Sequence, residues 1–170
     1  MIAGLILSLL STFATATADR LAQTDRLTVY VFTTTDCPIA NRYAPEIQRL
    51  AAKYQQFARF VLVYPVPTDT PELISEHQKK FAYVLDSVRD TDQKLVKMTG
   101  VTVSPEVAVM RGTQVLYRGR IDDRYIELGK ERPNPTRRDL ESALDLITTG
   151  RAAAVKQTRA IGCILADLVK

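Results

Sequence analysis

The sequence predicts an α/β domain with a central mixed β-sheet flanked by helices and a C-terminal tail. Three observations predict it. Two continuous apolar runs, residues 27–32 and 60–64, are separated by a helical pattern, as strands buried on both faces of a parallel sheet are. Further on, Pro105 precedes a strand over 106–110, and Gly112 turns the chain into a returning strand over 115–119, which adds an antiparallel hairpin. A last amphipathic helix follows, with Leu140, Ala143, Leu144 and Ile147 on one face.

The elements follow in order. Residues 20–26 are polar and read as a lead-in loop before the first strand. A helix is expected over 39–57, kinked at Pro45, which removes an intrahelical hydrogen bond. The second strand, 60–64, leads into a proline-rich loop. Thr70 then caps a helix with Pro71 at its first position, running to Phe81 and carrying His77. His77 reads as exposed or satisfied in place. Val84-Leu85 reads as a short extended piece. Asp90 or Asp92 caps a short helix through Leu95, Val96 and Met98, closed by Gly100. After the hairpin, Thr136 is expected to cap the last helix in a capping box with Asp139, and Gly150 ends it. Residues 151–170 form the tail, where Ile161, Ile164, Leu165 and Leu168 have the spacing of a short amphipathic helix.

Composition narrows the function. The chain has 170 residues, of which 46% are hydrophobic and 25% charged, with a net charge of +4. That is enough for one domain with a real core. Basic residues are interspersed with acids and no basic stripe is interleaved with aromatics, so nucleic-acid binding has little support. The arginines between 111 and 138 read mainly as a solvated face. Residues 1–18 carry no charge and end in Ala14-Thr-Ala-Thr-Ala18, which reads as an export signal cleaved near Ala18, with an uncleaved N-terminal anchor as the rival. The expected division is therefore 1–18 signal peptide, 19–150 domain and 151–170 tail. Export places the protein in the periplasm or outside the cell, where two cysteines can pair. A single histidine gives no Cys/His cluster of metal-binding spacing, so neither a metal nor another cofactor is expected.

The chemistry centres on Cys37. The first strand ends at the polar Thr33-Thr34-Thr35-Asp36, and Pro38 is suited to the first turn of a helix. Cys37 thus falls where free backbone N–H groups and the helix dipole stabilise a thiolate, the condition for nucleophilic sulfur chemistry. The alternative is a buried structural cysteine. Cys163, in the tail, is either a partner for Cys37 or a small hydrophobe of the tail helix.

Phe32-Thr-Thr-Thr-Asp-Cys-Pro38 and Val103-Ser-Pro-Glu-Val-Ala-Val109 resemble, in content and separation, the active-cysteine segment and the cis-proline loop of the thioredoxin-like superfamily. The resemblance covers about residues 27–150. Within the superfamily it is nearest the redoxin group, which spans alkyl hydroperoxide reductase/thiol-specific antioxidant domains and exported thioredoxin-like proteins. It implies a thioredoxin-like fold, Pro105 as the cis-proline beside the reactive sulfur, and Ser104 as the backbone edge offered to a thiol partner. The departures are specific. The second cysteine of a dithiol motif is replaced by Ala40, and that of copper-assembly relatives by Asn41. Thr34 matches the threonine of peroxiredoxins, but their earlier proline is Tyr30 here. By topology, Arg120 is the arginine a peroxidase would place near the thiolate.

The expected function is thiol–disulfide exchange by an exported protein through a single motif cysteine. Cys37 is the nucleophile and Cys163 resolves the sulfenate or mixed disulfide. Thr34, Pro105 and Arg120 support the chemistry, and Ser104 and Pro38 line the substrate side. Partners are a thiol, disulfide or peroxide substrate and an external thiol reductant. Peroxide reduction is the alternative within enzymes; a non-catalytic binding or metal-assembly module is the alternative outside them. Asp122 and Asp123 read either as groups that orient Arg120 or shuttle protons, or as a solvated turn pair, and Glu106 is open in the same way.

Overall fold

The computed structural model describes residues 26–165; the expected signal segment, 1–18, lies outside the described residues. Five strands form the central sheet. β1 (Leu27–Phe32), β2 (Ala58–Tyr64) and β3 (Asp86–Arg89) run parallel, and β5 (Glu106–Arg111) and β6 (Gln114–Gly119) complete the order β3-β2-β1-β5-β6. β5 lies antiparallel to β1, with Val29 opposite Val109, and β6 antiparallel to β5, so the sheet is mixed. β1, β2 and β5 are its centre, which explains their predominantly apolar sequences. β3 is short, exposed and polar, as suits an edge. It begins immediately after the predicted Val84-Leu85 piece.

The helix expected over 39–57 is two helices. α1 (Pro38–Arg42) stops at Tyr43, and α2 (Ala44–Tyr54) restarts with Pro45 in its first turn. Pro45 has no N–H to give to the preceding turn, so the break is complete rather than a kink. α3 (Pro71–Lys80) begins at the predicted cap, with the Thr70 hydroxyl accepting from Leu73 N–H at 3.3 Å. In α4 (Lys94–Thr99) the cap carboxylate is Asp90, which accepts from the N–H groups of Leu95 and Val96.

Between β6 and the last helix, β7 (Tyr125–Glu127) and β8 (Lys130–Glu131) pair antiparallel as a separate two-stranded sheet. α5 (Asp139–Ile147) packs Leu140, Ala143, Leu144 and Ile147 into the main core, together with Ile47, Leu50 and Tyr54 of α2. The predicted capping box does not form. The Thr136 hydroxyl donates instead to Asp123 Oδ2 at 2.6 Å, and the backbone N–H groups of Thr136 and Arg137 donate to Asp123 Oδ1. A buried carboxylate facing three donors outcompetes a local cap.

The tail is extended, not helical. Arg118 N–H donates to the Lys156 carbonyl and Thr158 N–H to the Arg118 carbonyl, so the tail runs along the free side of β6. It then crosses to β4 (Val103–Ser104), where β9 (Cys163–Ile164) pairs antiparallel with it, Ser104 opposite Cys163. Leu165 N–H donates to the Thr102 carbonyl. Its side chain is fully buried in a second apolar cluster with Phe32, Val63, Val101 and Ala108, a burial worth on the order of 2 kcal/mol. These long-range backbone bonds and that anchor override the helical spacing of 161–165; Leu168 lies outside the described residues.

Candidate active site around two cysteines

Cys37 sits at the N-cap of α1, with Pro38 as the first helical residue. Thr33 N–H still bonds the Val63 carbonyl, so the chain leaves the sheet only after it. Thr35 then ties the loop down, its hydroxyl donating to Asp69 Oδ1 at 2.5 Å. Burial pushes the Asp69 carboxyl above its ordinary value, against the pull of those Thr35 bonds. From the other side, Asn41 Nδ2 donates to the Thr35 carbonyl, and Asn41 Oδ1 accepts from His77 Nε2 at 2.7 Å. That assignment leaves His77 Nδ1 to accept from Tyr64 O–H at 2.9 Å. Burial lowers the His77 pKa, so the ring is a neutral strut.

The two sulfurs meet. Cys163 Sγ lies 2.9 Å from Cys37 Sγ, across 126 positions of chain, and both are free thiols. The Cys163 thiol donates to Cys37 Sγ; the Cys37 thiol donates to the Ser104 carbonyl at 3.2 Å, and Ala40 N–H approaches Cys37 Sγ at 3.5 Å. Cys37 is 1% exposed, whereas Cys163 is partly exposed. Burial first, then the Cys37 contact and the charge of Asp36, push the Cys163 thiol up to about 12. Cys163 therefore holds its proton at neutral pH.

The loop opposite is built by Ser104, Pro105 and Glu106. The Ser104–Pro105 peptide is cis. Glu106 is buried, and its Oε2 accepts from the N–H groups of Thr102 and Val103, at 2.9 and 3.4 Å, bracing β4 against the site. Arg118 closes over it, with Nε 3.7 Å from Glu106 Oε1 and a hydrogen bond to the Gly100 carbonyl. Glu106 is thus a buried brace of the loop rather than a solvated turn residue.

The remaining candidates fall apart from the sulfurs or into scaffold roles. The Arg120 guanidinium bonds Asp139 Oδ2 at 2.7 Å and makes no hydrogen bond to either sulfur among the described residues. Its orienting carboxylate is Asp139, not Asp122 or Asp123. Asp122 accepts from Tyr43 O–H at 2.6 Å, and Asp123 holds Thr136 and Arg137, so this buried pair is structural rather than a solvated turn. Thr34 Oγ1 and Ser104 Oγ are buried without a hydrogen-bond partner among the described residues. Pro38 borders an open depression of about 430 Å³ with Asn41, Arg42, Phe81 and Tyr125. Among the described residues no three His, Cys, Asp or Glu side chains are grouped to hold a metal ion, and no helix is long and apolar enough to cross a membrane.

Sequence reasoning missed Asp69, Asn41 and the bracing role of Glu106. Only Glu106 carried a signal, as a carboxylate inside an otherwise apolar strand.

No protein-family model matches the chain, and no curated protein does. Solved structures do. An uncharacterized conserved protein from Geobacillus kaustophilus is 26% identical with a TM-score of 0.69, over 83% of this chain and 77% of that one. A hypothetical protein from Sinorhizobium meliloti is 23% identical with a TM-score of 0.71, over 85% of this chain and 82% of that one. A candidate thiol:disulfide interchange protein DsbE from Chlorobium tepidum is 16% identical with a TM-score of 0.50, over 57% of this chain and 69% of that one. With its mixed sheet, flanking helices and these neighbours, the chain has a thioredoxin-like fold.

Proposed function

We propose that this protein is a thiol–disulfide oxidoreductase whose redox pair is Cys37 and Cys163. The observation that carries the reading is the contact of the two sulfurs at 2.9 Å, made by a tail strand docked on the loop that faces Cys37. Cys163 supplies from the tail the second thiol that Ala40 cannot supply from the helix. Of the two sulfurs, Cys37 is the one met by a backbone donor, the Ala40 N–H at 3.5 Å. Its substrates are thiols or disulfides, and its counterpart is an external thiol reductant or disulfide oxidant. The uncharged N-terminal segment and a pair competent to oxidise support an exported protein working in an oxidising compartment. Mass mapping after mild oxidation with oxidised glutathione tests the reading. A Cys37–Cys163 linked peptide is expected, formed faster than from an unstructured dithiol; two free thiols after oxidation would refute it.

Peroxide reduction is a second reading, favoured by one observation: the unpartnered, buried Thr34 hydroxyl three residues before Cys37. It is weaker because Asp139 engages Arg120. Stopped-flow consumption of hydrogen peroxide no faster than by free cysteine removes it.

A further inference from the structure

We propose that, once the Cys37–Cys163 disulfide has formed, an incoming thiolate attacks Cys163 and expels Cys37. The inference rests on the redox pair proposed above and assigns the order of events within it.

Thiolate attack on a disulfide runs in line with the bond that breaks, so the nucleophile must arrive from behind the sulfur it attacks. Behind Cys37 is protein. The residue is 1% exposed, and the Ser104 carbonyl and the Ala40 N–H lie against its sulfur. Cys163, by contrast, is partly open to solvent, and the next residue, Ile164, is 52% exposed.

The leaving group gives the same answer by a separate route. A disulfide sulfur departs more readily when its thiolate is stabilised. Cys37 departs facing the Ala40 N–H, 3.5 Å from its sulfur. Cys163 would depart as an anion in a largely apolar setting, facing the charge of Asp36.

The tail also settles how the partner approaches. β9 already occupies the hydrogen-bonding edge of Val103 and Ser104. A partner strand cannot add there while the tail is docked. The tail is held on both sides of Cys163, by Thr158 on β6 and by Leu165 in the second cluster. The incoming group is therefore a small thiol, or a protein thiol on a protruding loop, rather than a strand laid along β4.

The step balances. The electron pair of the incoming thiolate forms a bond to Cys163 Sγ, and the Cys37–Cys163 bond breaks with its pair left on Cys37 Sγ. A second thiolate then attacks the partner sulfur, forming the partner disulfide. Cys163 leaves and takes a proton from water. Two thiols are oxidised and one protein disulfide is reduced.

The test uses the full chain, oxidised with diamide and freed of reagent. It is mixed for milliseconds with sub-stoichiometric glutathione, quenched in acid, alkylated and mapped by mass. Glutathione is expected on Cys163 in about tenfold excess over Cys37, with Cys37 recovered as the alkylated thiol. Equal labelling, or an excess on Cys37, overturns the attack order and leaves the redox pair standing. Failure of diamide to form the Cys37–Cys163 bond overturns both.

Discussion

Gly162 lies flat against the Ser104 carbonyl, and a Cβ at this position would collide with that carbonyl and with Pro105 N. The tail can bring Cys163 onto Cys37 only because the preceding residue has no side chain. Gly162→Ala should lift β9 off β4 without touching the main core. Disulfide formation under oxidised glutathione should slow by about tenfold or more, and Cys37 should become easier to alkylate. Unchanged rates in the variant would mean that the tail reaches Cys37 by another path.

The two thiols should also differ in their response to pH. With its pKa near 12, the reduced Cys163 exposes only roughly one part in ten thousand as thiolate at pH 8. Iodoacetamide should therefore leave Cys163 nearly untouched at pH 8 and label it progressively above pH 10. In Cys37→Ser the contact and charge of Cys37 are gone, while burial and Asp36 remain, so labelling of Cys163 should quicken at pH 8. A Cys163 that labels equally fast in both proteins would contradict the coupling.

Glu106 carries the loop opposite the sulfurs through Thr102 and Val103. Glu106→Gln swaps a charged acceptor for a neutral amide beside Arg118. Urea unfolding should show a loss of about 1–3 kcal/mol, and disulfide formation should slow as β4 loosens. A variant as stable as the parent would show that Arg118 and backbone bonds hold β4 without the carboxylate.

Stability should fall in acid over a definable window. Burial alone would raise the Asp123 carboxyl, yet hydrogen bonds from Thr136 and the backbone N–H groups of Arg137 and Thr136 hold it at about 2. Hydrogen bonds from Arg49, and then from Lys53, bring Glu141 to about 2. Both folded values lie below the unfolded ones, so the unfolded chain binds more protons between them. The stabilisation is complete above about pH 5 and is lost as pH falls toward 2. Urea midpoints taken from pH 6 to pH 2 should decline, and Asp123→Asn should flatten part of that decline. A parent midpoint independent of pH over this range would contradict both assignments.

The sheet was legible because β1, β2 and β5 are largely buried on both faces and so are mostly apolar. The start of α1 was legible from Pro38, and that of α3 from Thr70 and Pro71. What local pattern could not show depends on partners far along the chain. Ile161, Ile164 and Leu165 fit a helix by spacing, yet β4 and β6 offered open edges more than forty positions away. Gly162 beside Cys163 was the one local hint against that helix. Asp123 reads as a turn residue until Thr136 and Arg137 fold over it. Asp69 carries no local mark at all, since its role is set by Thr35.

Holding the tail on both sides of Cys163 has a topological consequence. A bond between sulfurs 126 positions apart would turn most of the domain into a closed ring. In the chain-entropy picture such a ring costs the unfolded state on the order of 5 kcal/mol. The folded molecule, already shaped for the closure, gives up little when it forms. Oxidation would then act as a clasp on the entire sheet, and adding a reductant should lower the melting temperature even though only the two sulfurs change.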